Sequence, residues 1–347
     1  MKALIIGLGS MGKRRVRCLK ALGFAPEDIA GFDLRPDRRQ EAADLHGIAT
    51  YADVDAAIAA HAPQALVISV PPDAHHIYMK KAAHLGLPFF VEASVVDTDM
   101  EEVIRRCETA GIVAAPSSTL YFHPAVQAVS AIIRSGELGK LSNILYHSGQ
   151  YLPDWHTYEK VSDYYVSNPA TGGGREIVPF ELTWVVEVLG FPKRVAGMFR
   201  KTIDIEGAPG IEDTYNALLD YGDFMMNLTV DVVSRSATRR MLINGDRKQL
   251  RWDWDENAIH LFDPATNGWE RRTYEMGQAQ AGYNANIGEN MYIDEVAAFL
   301  KAVRGEAPFV NTLARDHMVL KTLYAIEQAD RESRFVTLDF ASPCQGA

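Results

Sequence analysis

The stretch Ala3-Leu4-Ile5-Ile6-Gly7-Leu8-Gly9-Ser10-Met11-Gly12 joins a short apolar run to three glycines at GxGxxG spacing. Each glycine has its own physical task. Gly7 permits a tight turn, Gly9 lets a pyrophosphate approach the backbone, and Gly12 lets the following helix pack close to the strand. Val16, Leu19 and Leu22 then recur at helical spacing. The first turn of that helix, with Ser10 and Met11, offers unpaired N–H groups and a positive dipole end to phosphate. Alone the motif is weak, because many Gly-rich turns hold nothing. Its surroundings strengthen it: a second apolar run, Ile29 to Phe32, ends in Asp33, 21 residues past Gly12. A carboxylate at that place accepts the hydroxyls of an adenosine ribose. Asp33 favours NAD, since it repels a 2′-phosphate. Arg35, Arg38 and Arg39 follow; they read either as a clasp for that phosphate, which keeps NADP open, or as the solvated start of a helix.

The same alternation continues outward. Helices are expected around Val54 to Ala60, Ala74 to Leu85 and Met100 to Ala110, with strands at Ala65 to Val70, Pro88 to Val91 and Ile112 to Ala115. Strand and helix alternating at this length predict an α/β fold whose first domain, residues 1–121, is a doubly wound parallel sheet of the Rossmann type. Ligands of such sheets sit beyond the carboxyl ends of the strands. Val70, Pro71, His75 and Glu92 fall at those ends and are expected at the cofactor, as is the loop Pro116 to Tyr121. His75 reads equally as a residue that only caps the first turn of its helix.

The chain of 347 residues is long enough for two cores, and its 47% hydrophobic and 23% charged content is that of a folded globular protein. A net charge of −10 disfavours nucleic acid as a partner, because such binders gather lysine and arginine on one face. Cys18, Cys107 and Cys344 are far apart, with no CxxC and no metal-ligand spacing. No metal is expected, and a reduced, cytoplasmic location follows. No apolar run approaches a membrane span, and the first residues lack the unbroken apolar core of a signal peptide.

Beyond residue 121 the pattern changes. After a helix Phe180 to Leu189, strand-like runs are punctuated by turns: Tyr-Gly-Asp within Tyr215 to Val233, and Asn-Gly-Asp within Met241 to Trp252. A meandering sheet is expected from about Leu141 to Tyr274, with helices packing back from Tyr292.

Taken in order, GLGSMG, SVPPDAHH, the glutamate ending the fifth strand, FHPAV (Phe122 to Val126), SGELGKL (Ser135 to Leu141), VLGFP (Val188 to Pro192) and YIDEVAAFLKAVRGE (Tyr292 to Glu306) resemble the Gfo/Idh/MocA family, over essentially the whole chain. The resemblance implies an N-terminal Rossmann domain and a C-terminal α/β domain, here residues 122–347. The large, mostly antiparallel sheet of the latter carries the substrate and often supports oligomers, so a homodimer or homotetramer is expected. It also implies hydride transfer between a nicotinamide and a carbohydrate-like hydroxyl or ketone.

In that family the fifth strand usually ends Glu-Lys-Pro, and an Asp and a His four apart follow the Gly-Gly pair. This chain has Glu92-Ala93-Ser94. Counted forward from Gly172-Gly173, the Asp and His positions fall on Ile177 and Glu181; counted back from Leu189-Gly190, they fall on Glu176 and Phe180. Neither register restores a histidine. The replacement is sought in Tyr151 to Trp184, where His156, Glu176, Glu181 and Tyr164 are candidate acid/base groups. Arg175, Trp155 and Tyr121 are candidate substrate contacts, and Tyr158 lies in the same segment. Three readings stay open: an oxidoreductase with a rebuilt acid/base set, a cofactor-retaining enzyme with no net redox change, and a binding protein without chemistry.

Overall fold

The computed structural model describes residues 1–156, 159–277 and 288–339; Tyr158 and Cys344 lie outside them. The chain forms two compact units, one comprising Met1–Thr119 with Glu289–His317, the other Leu120–Gly288 with Met318–Ala347.

The first unit is built on six parallel strands: β1 (Ala3–Ile6), β2 (Ile29–Phe32), β3 (Ala49–Tyr51), β4 (Ala65–Ile68), β5 (Phe89–Val91) and β6 (Ala114–Pro116), in the spatial order 3-2-1-4-5-6. β1, β2, β4 and β5 are buried along their whole length, because crossover helices cover both faces of a parallel sheet. This is why they read as continuous apolar runs rather than alternating ones. The helices are α1 (Ser10–Ala21), α2 (Pro36–His46), α3 (Val54–His61), α4 (His75–Leu85) and α5 (Met100–Ala110). Local chemistry sets their ends. The side chain of Asp53 caps α3 by accepting from the N–H of Ala56 at 2.7 Å, and Gly47 closes α2 in the left-handed region. Strand order reverses between β1 and β4, which places the open crevice beside the glycine turn.

The second unit begins with α6 (Pro124–Arg134), capped by the Nδ1 of His123, which accepts from the N–H of Ala125 at 3.1 Å. It is dominated by a nine-stranded sheet containing β7 (Leu141–Tyr151), β8 (Arg194–Arg200), β9 (Thr214–Asp220), β10 (Met225–Asp231), β11 (Val233–Gly245), β12 (Gln249–Asp253), β13 (Ala258–Asp263), β14 (Gly268–Thr273) and β15 (Val336–Thr337). The order is 14-13-12-11-7-10-9-8-15. Pairing is antiparallel except between β7 and β10, and the two turns read from sequence join β9 to β10 and β11 to β12. One face carries Ile144, Tyr146, Tyr215, Leu219, Leu228, Met241 and Trp252 into the core, where α7 (Gly174–Leu189) contributes Val178, Leu182 and Val185. The alternate positions look outward. Leu145, Met198, Leu218 and Met225 share that face and are all about half or more exposed.

Among the described residues no helix is long and apolar enough to cross a membrane.

Candidate functional site

The glycine turn is closed by backbone. A Cβ on Gly7, whose φ is +92°, would lie 2.6 Å from the carbonyl oxygen of Ser69, and a Cβ on Gly12 would lie 1.8 Å from the carbonyl oxygen of Gly7. At Gly9 the nearest atoms are those of the Arg38 side chain, from 3.3 Å, with no backbone in the way. The turn is therefore packed behind and open in front. Gly9 is the N-cap of α1, so the N–H groups of Ser10, Met11 and Gly12 begin the helix at that opening. A cradle that a side chain would fill, at a helix N-terminus, fits a pyrophosphate. The cofactor, when bound, supplies the hydride acceptor or donor.

Asp33 is buried at the end of β2. Its Oδ2 accepts from the N–H of Leu8 at 2.8 Å and its Oδ1 from the N–H of Arg35 at 2.8 Å, so the carboxylate ties the glycine turn to the strand beside it. His75 is fully enclosed, with Nε2 2.9 Å from the carbonyl of Val70. Burial pushes its imidazole down to about 4, so the ring is neutral. That bond fixes the backbone at Val70, at the carboxyl end of β4.

Glu92 is held by Arg15. The guanidinium donates to both carboxylate oxygens at 2.7 Å, and Ser69 Oγ adds a bond at 3.0 Å. Arg15 has no exposed surface; it lies over the ring of Phe90 and 2.9 Å from Glu295. Burial alone would lower its pKa, but Glu92 and Glu295 outweigh that and keep it charged. Glu295, on α8 (Glu289–Val303), in turn accepts from Ser117 Oγ at 3.0 Å, the N–H of Ser118 at 2.6 Å and Thr119 Oγ1 at 2.8 Å. The carboxyl ends of β5 and β6 are thus pinned by one buried cation and two carboxylates. Ala93, directly after Glu92, carries no group able to hold a proton. Asp316, which burial pushes up to about 6, lies beside Ser94. Sequence reading missed Arg15, Glu295 and Asp316. The signal for Arg15 was a cation one residue before Val16 on a helix otherwise read for its apolar face.

In the second unit the candidates divide into two groups. Trp155, Tyr164 and Tyr165 pack on one small apolar cluster containing Leu152, Val166 and Ile211. The His156 and Tyr164 rings stack at 4.8 Å, and His156 Nδ1 lies 2.9 Å from Glu159. Tyr165 donates its hydroxyl to Glu176 at 2.6 Å. The other oxygen of Glu176, Oε2, and the indole N–H of Trp155 are shut from water with no hydrogen-bond partner among the described residues. Burial pushes the Glu176 carboxyl up to about 8, so it carries a proton at neutral pH. The glycines before α7 put it there: a Cβ on Gly172 would lie 2.0 Å from the carbonyl oxygen of Val166.

The second group has a different character. Glu181 is fully buried and accepts from Tyr146 at 2.5 Å, Ser148 at 2.7 Å, Trp184 at 3.0 Å and twice from Arg239, at 3.0 and 2.5 Å. Burial alone would raise its pKa; Arg239 and these bonds outweigh it and hold the carboxyl below its ordinary range. Its oxygens are saturated. Arg175 donates to Glu327 at 2.7 Å and to the carbonyl of Ala170, so its guanidinium is engaged within the protein rather than held out for a substrate. Tyr121 packs edge-on against Phe122 and borders the core cluster that holds Tyr146 and Trp184.

A sheet of this order with this glycine turn defines a dinucleotide-binding domain, and family comparison places it among oxidoreductases. Residues 1–117 match the family described as "Oxidoreductase family, NAD-binding Rossmann fold", and residues 126–251 match the "GFO/IDH/MocA C-terminal domain". The two matches together span more than half of the chain, which belongs to the GFO/IDH/MocA family.

Solved structures agree on the fold. Levoglucosan dehydrogenase in complex with NADH and levoglucosan is similar with a TM-score of 0.83 at 16% identity, over 97% of this chain and 99% of that one. An oxidoreductase from Agrobacterium radiobacter in complex with NAD+, L-tartaric acid and magnesium gives 0.81 at 16%, over 97% and 98%. A putative myo-inositol dehydrogenase from Sinorhizobium meliloti 1021 gives 0.76 at 18%, over 98% and 100%. No curated protein matches the chain in sequence.

Proposed function

We propose that this oxidoreductase moves a hydride between NAD and a hydroxyl or ketone of a polyhydroxylated substrate, a sugar, sugar acid or cyclitol, with Glu176 as the group that holds the transferred proton. The observation that carries the reading is the Tyr165–Glu176 pair. In alcohol oxidation the C–H hydride leaves with its electron pair, the O–H proton must go to a base, and the C=O bond forms. Ionised Glu176 takes that proton through Tyr165, which passes its own proton on and receives the substrate's. In the reverse direction the protonated carboxyl gives it back. A carboxyl titrating at about 8 serves both directions near neutral pH. Glu181, saturated by donors and held ionised, is not retained as a proton carrier; it fixes α7 to the sheet. Trp155, Tyr164 and Tyr165 supply aromatic faces of the kind that sugar rings pack on, and levoglucosan and myo-inositol, named for two of the similar structures, are such rings.

The outward face of the nine-stranded sheet, with Leu145, Met198, Leu218 and Met225, supports self-association. Cys18 and Cys107 are buried free thiols, each pushed up to about 11 by burial, in keeping with a reducing, cytoplasmic setting.

The test is turnover by nicotinamide absorbance across a panel of sugars, aldonates and inositols. Glu176→Gln should lower kcat about 10²–10⁴-fold with NAD affinity kept, and Ala93→Lys should bring no gain. If Glu176→Gln turns over like the wild type, the assignment fails. Activity that appears only in Ala93→Lys would mark a binding protein on a dehydrogenase fold.

A further inference from the structure

Three arginines follow Asp33, and the structure separates them. Arg35 is folded onto Asp37 in a two-point pair at the surface. Arg39 donates to the carbonyls of Asp33 and Leu34, at 2.8 and 3.0 Å, and so braces the backbone. Arg38 differs from both. Its guanidinium lies 3.3 Å from the point where a Cβ would stand on Gly9. Its one polar neighbour among the described residues is the Asp33 carboxylate at 3.9 Å, beyond hydrogen-bond reach. Its side chain is 30% exposed. It therefore reaches from the pyrophosphate-facing backbone to the ribose acceptor with its N–H donors uncommitted.

We infer that Arg38 sets the cofactor specificity of this chain by accepting a 2′-phosphate on the adenosine ribose, so that NADP(H) binds as well as NAD(H). The inference rests on the dinucleotide site above. An Asp33 standing alone would repel a phosphate on the ribose 2′-oxygen. Two things weaken that repulsion here: both Asp33 oxygens already accept backbone N–H bonds, and a guanidinium stands beside them. The planar fork of an arginine also matches phosphate oxygens in a two-point hydrogen bond, which a lysine cannot supply. With NAD bound, the same side chain has only the ribose hydroxyl and the adenine face to meet, so its removal costs NAD little.

Calorimetric titration of the full chain with NADP+ and with NAD+ tests this without any substrate. The wild type should bind both. Arg38→Ala should weaken NADP+ about tenfold to a hundredfold and leave NAD+ nearly unchanged, while Arg35→Ala moves neither. An unchanged NADP+/NAD+ ratio in Arg38→Ala overturns the assignment, as does an equal shift in Arg35→Ala. Wild-type protein that binds NAD+ but not NADP+ also overturns it, with the dinucleotide site left standing. If neither nucleotide binds, the dinucleotide site falls and Arg38 with it.

Discussion

Replacing Glu176 by Gln should change how the stability of the protein depends on pH, and the sign follows from the burial of that carboxyl. Its pKa rises from an ordinary 4.5 to about 8, so the folded protein keeps a proton that the unfolded chain releases. The contribution is fully present below about pH 4.3, falls as pH rises, and is lost once pH passes about 8. A rise of that size corresponds to a penalty on the order of 5 kcal/mol for burying the ionised form, an upper bound once water enters the site. Gln is nearly isosteric with the protonated acid and can still accept from Tyr165 through its carbonyl oxygen. The Gln variant should therefore gain on the wild type steadily as pH rises from 5, and at pH 9 it should be clearly the more stable. Each kcal/mol is worth about 2–4 °C in Tm for a unit of this size. The assay is thermal unfolding of both proteins from pH 5 to 9, read as the difference in Tm, in which all other titrating groups cancel. Parallel curves would show that Glu176 ionises freely, and would remove the basis for its role as proton holder.

Three further outcomes are expected. Arg239→Ala strands a carboxylate inside the second unit and should cost about 3–5 kcal/mol in urea unfolding; a cost near zero would show that Glu181 is not held by that pair. Gly9→Trp should abolish NAD binding by calorimetry with the fold intact by circular dichroism, because an indole would occupy the pyrophosphate's approach; retained affinity would sink the site. Leu218→Arg, on the outward sheet face, should shift the mass by light scattering from oligomer to monomer. A wild-type protein already monomeric at micromolar concentration would refute that surface as an interface.

The first sheet was legible because its strands obey one rule: buried on both faces, they are continuous apolar runs between turn residues, and Asp33 follows the second at the distance the glycine motif demands. Two hairpins of the second sheet were legible from their turn residues, Tyr221-Gly222-Asp223 and Asn244-Gly245-Asp246. The site was less so. Counting from glycines or from the helix end gave two registers on α7, and nothing in the sequence chose between Glu176 and Glu181. What separates them is partners distant in sequence: Arg239 and Tyr146 reach Glu181, while Tyr165 reaches Glu176. The return of Glu289–His317 to the first unit was hidden for the same reason, since an amphipathic helix states that one face is buried but not against what.

That return has a consequence for how the protein is made. Arg15 emerges from the ribosome with the first strands and meets Glu92 soon after, but Glu295 is synthesised only when most of the chain is finished. Until then the guanidinium has one of its two carboxylates, and the hydroxyls of Ser117 and Thr119 lack their acceptor. The unit that begins first is completed only after residues 120–288 of the second unit have been translated. A gene fragment cut after residue 288 would encode every glycine of the nucleotide motif and still lack Glu295 and Tyr292, the residues of α8 that pair with and cover Arg15.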